Sequence, residues 1–157
     1  MMRLRLLAVA AVLLPSFGAP ARADYVASHI THEAIGELKV VVPVTAGDYD
    51  ILRMKLRNVL NGMAAAREGN GHLEARVIFY AKAPKLLNSA DLPQDLRESL
   101  DAVRAAGVKI EICNNSLREQ NIDYHALYGV TEADIVPSGF LEVAWLQKHG
   151  FVVDPSN

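Results

Sequence analysis

The chain has 157 residues, with 16 Lys+Arg against 18 Asp+Glu, five His and one Cys. A net charge of −2 argues against a dedicated nucleic-acid binder, which carries a basic stripe, and 51% apolar residues exclude general disorder. The lone cysteine excludes an intrachain disulfide and any CxxC redox or zinc pair.

Residues 1–23 differ from the rest. Arg3 and Arg5 form a short positive segment, Leu6 to Leu14 is an unbroken apolar run, and Ala21-Arg22-Ala23 is an A-x-A site. This three-part order predicts a secretory signal peptide cleaved after Ala23, because the apolar run is too short to span a bilayer. The remainder, 24–157, reads as one domain with 13 basic and 18 acidic residues, a charge of −5. A periplasmic or secreted protein with no membrane span in the mature chain is expected.

Residues 24–36 have no clean period and read as an extended arm. Its His29-x-x-His32 pair has no evident third ligand, so no metal is assigned to it. Residues 38–44 (LKVVVPV) read as a first strand buried on both faces. Leu52, Leu56, Val59, Leu60 and Met63 then repeat at three and four, the stripe of an amphipathic helix that Gly69 to Gly71 ends. Residues 75–80 (ARVIFY) predict a second strand. Pro93 suits a first helical turn, and Leu96, Leu100 and Val103 continue that helix to Gly107. Residues 108–112 (VKIEI) predict a third strand, with one face less covered because apolar and charged residues alternate. Short helical turns are expected at 116–120 and 123–128, a short strand at 134–136, a helix capped by Ser138 and running to His149, and a last short strand at 151–153. Strands alternating with helices give βαβ units and a three-layer α/β/α sandwich around a mostly parallel sheet.

Ligands in open parallel sheets bind beyond the carboxyl ends of the strands. The segments there are Thr45 to Asp50, Ala81 to Ala83 and Cys113 to Leu117. None is a phosphate cradle: the chain has no GxGxxG and no GxxxxGK[ST], so no nucleotide cofactor is expected. Cys113 follows the third strand and precedes Asn114, Asn115 and Ser116, all capping residue types. Helix N–H groups starting there would favour a thiolate, whereas a buried core cysteine is the competing reading. His125 is a weaker candidate for a thiolate partner, with a surface or capping role as its alternative. The closing helix, with Phe140, Leu141, Val143, Ala144, Trp145 and Leu146, is apolar nearly all round and should be buried in the core or against another subunit.

The segment Cys113-Asn114-Asn115-Ser116-Leu117, after a strand, resembles the C-x-N-[ST]-[LM] motif of the DsrE/DsrF-like family. Ile135-Val136-Pro137-Ser138-Gly139, the helix around Trp145, Gly150 and Pro155 resemble that family's closing helix and short strand. The resemblance covers residues 38–155. It implies a sheet of about five strands, assembly into homo-oligomers, commonly trimers or hexamers, and sulfur carried as a persulfide on Cys113. Asn115 and Ser116 would orient the sulfur, with Asn114 beside them. The chain departs from the well-studied relays, which are cytoplasmic, in carrying a leader. With no second cysteine, a thiol-bearing donor or acceptor protein is expected as partner. The reading from a different class is a non-catalytic oligomeric binding or assembly module in which Cys113 is structural.

Overall fold

A computed structural model describes residues 26–27 and 33–156. The expected leader (1–23) and the His29/His32 pair lie outside the described residues.

Five strands form one sheet in the order β4-β3-β2-β1-β5, every neighbouring pair parallel. β1 (Glu37–Val44) runs beside β2 (His72–Phe79) over eight residue pairs, from Glu37↔His72 to Val44↔Phe79. Between them lies α1 (Tyr49–Glu68), which starts where the Asp48 carboxylate accepts from the N–H groups of Asp50 and Ile51 at 2.8 and 3.1 Å. That cap satisfies two of the donors a helix leaves open at its start. Leu52, Leu56, Val59 and Met63 are buried against the sheet, as their spacing requires.

α2 (Gln94–Ala105) connects β2 to β3 (Lys109–Cys113). Pro93 sits one place earlier than expected, as the residue capping the helix, with φ −57° and ψ 147°. Its missing N–H costs nothing there, and its extended ψ keeps it out of the helical turn. Gly107 takes φ +89° in the turn back to β3, a conformation open to glycine without strain. The irregular segment after β3 contains α3 (Asn114–Glu119) and 3-10 turns at Tyr124–Ala126 and Glu132–Asp134. β4 (Ile135–Val136), α4 (Gly139–Lys148) and β5 (Val152–Val153) follow.

The strand order explains the layers. The chain steps from β1 to β4 with α1 and α2 on one face, then α4 crosses the other face to place β5 beside β1. Alternating strand residues divide accordingly. Val42, Val44, Val77, Phe79, Ile110 and Ile112 pack with α1 and α2 in the larger core. Val41 and Ile78 face α4 and pack with Val143, Leu146 and Phe151. The sandwich has three layers, but its third is a single ten-residue helix.

Two expectations need correction, and a third is narrowed. Only the carboxyl half of β1 is buried on both faces; Glu37, Leu38 and Lys39 are exposed, because the two-residue β5 reaches only Val40 and Val41. In β3 the alternation of apolar and charged residues does not leave Glu111 uncovered: it is buried, because Arg76 reaches over it from β2. The closing helix is also less hidden within the chain than its composition suggests. Val143 and Leu146 are buried, whereas Phe140, Leu141 and Trp145 are exposed.

Among the described residues, no helix is long and apolar enough to cross a membrane. None of their His, Cys, Asp and Glu side chains gather in groups of three or more able to hold a metal ion.

Candidate functional site

Cys113 is the last residue of β3 and the cap of α3, with extended backbone (φ −70°, ψ 114°). It pairs in register with Val136 of β4. Strand geometry turns its side chain to the same face as Glu111, toward α4. The residue is only 4% exposed. Its cover is specific: a Cβ built on Gly139, the first residue of α4, would lie 2.7 Å from the Tyr80 Cβ and 3.2 Å from the Cys113 Cβ. Glycine is therefore what lets the helix start directly over the thiol.

Burial pushes the Cys113 thiol up, but the donors around it act the other way and prevail. They are the Gly139 N–H, the Ser116 hydroxyl and the N–H groups of Ser116 and Asn115, and they hold the thiol below the ordinary cysteine value. Three elements thus converge on one sulfur: the end of β3, the start of α3 and the start of α4. The first two were legible in the sequence. The third was not, because a contact between residues 113 and 139 depends on the strand order.

The other candidates are placed as follows. Ser116 is buried beside the thiol, while Asn114 and Asn115 are exposed. Asn115 acts through its backbone N–H and not through its amide side chain. Asn114 lines an open cavity of about 590 Å³ shared with Arg118, Asn121, Asp123 and Tyr124. His125 lies in the exposed 3-10 turn, where its Nδ1 is 2.7 Å from the Asp123 carboxylate and its ring stacks on Tyr124 at 4.0 Å. Those are its partners; the groups acting on the Cys113 thiol are others.

Sequence reasoning missed the charged network under α4. Arg76 pairs with Glu111 of β3 and lies 3.5 Å from Glu142 of α4. Burial pushes the Glu111 carboxyl up, Arg76 opposes this, and Glu142 adds to it. The Arg76 Nε and one Glu111 carboxylate oxygen are buried without a hydrogen-bond partner. Three isolated charges in a sequence carry no signal that a sheet and a helix will bring them together.

The strand order also places the reversal of the sheet between β1 and β5, two strands away from Cys113. Ligand crevices in doubly wound sheets favour the reversal point. Here the thiol sits instead at the β3 end, under the crossing helix.

A parallel, doubly wound sheet with a capped thiol at the end of its third strand defines a class of α/β cysteine proteins. Within that class the family model described as DsrE/DsrF-like matches residues 39–153, and the chain belongs to this family. Its fold is similar to the solved structure of MTH1491 from Methanobacterium thermoautotrophicum, a protein of unknown function. That likeness has a TM-score of 0.62 and 22% sequence identity, over 74% of this chain and 97% of that one. None of the curated proteins matches the chain.

Proposed function

We propose that the protein binds and transfers sulfane sulfur through a persulfide on Cys113. The observation that carries this reading is the placement of the thiol at the end of β3, at the start of α3 and beneath the first residue of α4, where the Gly139 N–H and the Ser116 hydroxyl favour its anionic form despite burial. Membership of the DsrE/DsrF-like family supports it. The Cys113 thiolate attacks the outer sulfur of a donor R–S–SH; a new S–S bond forms on Cys113, the donor's S–S bond breaks, and R–S⁻ leaves. An acceptor thiolate then attacks the outer sulfur and Cys113 departs as the thiolate, so the cycle involves no net oxidation. Asn115 and Ser116 supply the groups that hold the negative sulfur, and the acceptor thiol belongs to a partner.

Intact-mass measurement after exposure to inorganic polysulfide tests the reading. The expected result is a gain of about 32 Da per sulfur atom, reversed by a thiol reductant and absent in Cys113→Ser. A folded wild-type protein that takes up no sulfur, and whose Cys113 is alkylated only after denaturation, would make Cys113 a packing residue and the protein a binding module.

The same proposal includes export of a mature chain beginning at Asp24 and assembly into a homo-oligomer through α4. Phe140 and Leu141 are 74% and 64% exposed, an apolar surface that a second copy would cover. Trp145→Glu is expected to shift the species seen by light scattering to the monomer; an unchanged mass would place the interface elsewhere.

A further inference from the structure

The buried thiol raises the question of how a donor reaches it. On the sulfur-carrier reading just given, we propose that Arg76 is a positioning residue. Through Glu142 it latches the first turn of α4 over Cys113, and release of that latch admits the sulfur donor.

The first turn of α4 is the cover, since Gly139 packs between Tyr80 and Cys113 and its N–H acts on the sulfur. That turn has little apolar anchorage of its own. Gly139, Val143 and Leu146 are the buried residues of α4, and the two with side chains of any size lie one and two turns farther on. Phe140 and Leu141, within the turn, point away from the core and are exposed. Ser138 caps the helix locally, accepting from the Leu141 N–H at 3.3 Å, but that bond moves with the helix.

The tie from this turn to the sheet is Arg76. Its guanidinium rises from β2, pairs with Glu111 two residues before Cys113, and lies 3.5 Å from Glu142. Neither the Arg76 Nε nor the second Glu111 oxygen has a partner. Lifting the turn therefore gives up one long ion pair and brings water to two buried groups that lack a hydrogen bond in the closed state. A cleft of about 370 Å³ bounded by Arg76, Pro137, Ser138, Leu141, Glu142 and Trp145 runs along the turn, so it is not packed solidly on that side.

The test is alkylation of native Cys113 by iodoacetamide, in the full chain, for wild type, Glu142→Gln and Glu142→Asp. Glu142→Gln keeps the size of the side chain and removes its charge. It is expected to raise the labelling rate about fivefold, about 1 kcal/mol of opening at 1.4 kcal/mol per tenfold, and to lower the thermal midpoint by no more than the few degrees that the same loss implies. Glu142→Asp, which keeps the charge, should stay near wild type. In wild type the labelling rate should rise with urea on a slope that is a small fraction of the global unfolding slope, because only one helical turn opens. Equal rates in wild type and Glu142→Gln would overturn the latch. So would a wild-type urea slope equal to that of global unfolding, a measurement that stands even if the variant folds poorly. Failure of the latch is distinguishable from failure of the carrier reading: faster labelling in Glu142→Gln with no sulfur uptake from polysulfide in any variant keeps the latch and removes the carrier, whereas sulfur uptake with Glu142-independent labelling does the reverse.

Discussion

Asp154→Ala is expected to destabilise the fold by about 3–5 kcal/mol, the usual consequence of leaving one member of a buried ion pair without its counterion. The Lys55 ammonium on α1 lies 2.8 Å from the Asp154 carboxylate just past β5, and the two side chains are only 7% and 10% exposed. Lys55 also donates to the Ser156 carbonyl at 2.6 Å, and the Ser156 hydroxyl and N–H both donate to Asp154. Removing the carboxylate strands a buried ammonium. For a chain of this size the thermal midpoint should fall by on the order of 10 °C or more. A double variant, Lys55→Met with Asp154→Leu, should recover most of the loss, since an apolar pair avoids the desolvation of both charges. A midpoint in Asp154→Ala within a degree or two of wild type would show that the pair contributes nothing.

The same carboxylate makes a pH prediction. Burial pushes the Asp154 carboxyl up, but the hydrogen bonds from Lys55 and Ser156 outweigh this and hold it below the ordinary value. Because its folded pKa lies below its unfolded one, its contribution is fully present above about pH 4 and is lost as pH falls through the folded value. The stability gap between wild type and Asp154→Ala should therefore be constant near neutrality and narrow in acid. Chemical denaturation at a series of pH values measures it.

Gly139→Val should destabilise the protein by about 3 kcal/mol, the upper end of ordinary overpacking. The new Cβ would fall 2.7 Å from the Tyr80 Cβ and 3.1 Å from its Cγ, the root of a side chain that has little freedom to swing away. The helix must lift or Tyr80 must move, and because the Cys113 Cβ also lies 3.2 Å from the new atom, lifting of the helix, which takes the Gly139 N–H away from the sulfur, is the expected response. The Cys113 thiol should then titrate higher than in wild type, because the first of the groups lowering it is lost while α3 remains. Thiolate absorbance followed against pH, with a thermal melt of the same sample, checks both effects. A valine variant with the wild-type melt and titration would mean that α4 does not rest on the thiol.

The local pattern of the sequence carried most of the fold. The β-branched run at 40–44, the three-and-four stripe from Leu52 to Met63 and the Ser138 cap each specify an element by contacts within a few residues, and each falls where expected. Boundaries moved where pairing decided them. β2 begins at His72, ahead of the apolar run, because Glu37 and Leu38 offer it a backbone partner. β5 is limited to Val152 and Val153, which pair with Val40 and Val41 in the middle of the longer β1. For the site, Cys113 and Ser116 were readable because strand end and helix start are adjacent in the chain. Gly139, Arg76 and Glu142 were not. Their roles arise from α4 crossing back over the sheet, and no residue along the way records that crossing. Lys55 likewise reads as one more cation on an amphipathic helix until Asp154, 99 residues later, is placed beside it.

That separation has a consequence for how the edge of the molecule opens. Residues 152–156 give β1 its outer strand and give Lys55 both of its partners, the Asp154 carboxylate and the Ser156 carbonyl. Peeling this one segment away therefore uncovers a sheet edge and returns the ammonium of another layer to water in the same step. The edge strand and the ion pair are expected to be lost together, as one locally opening unit.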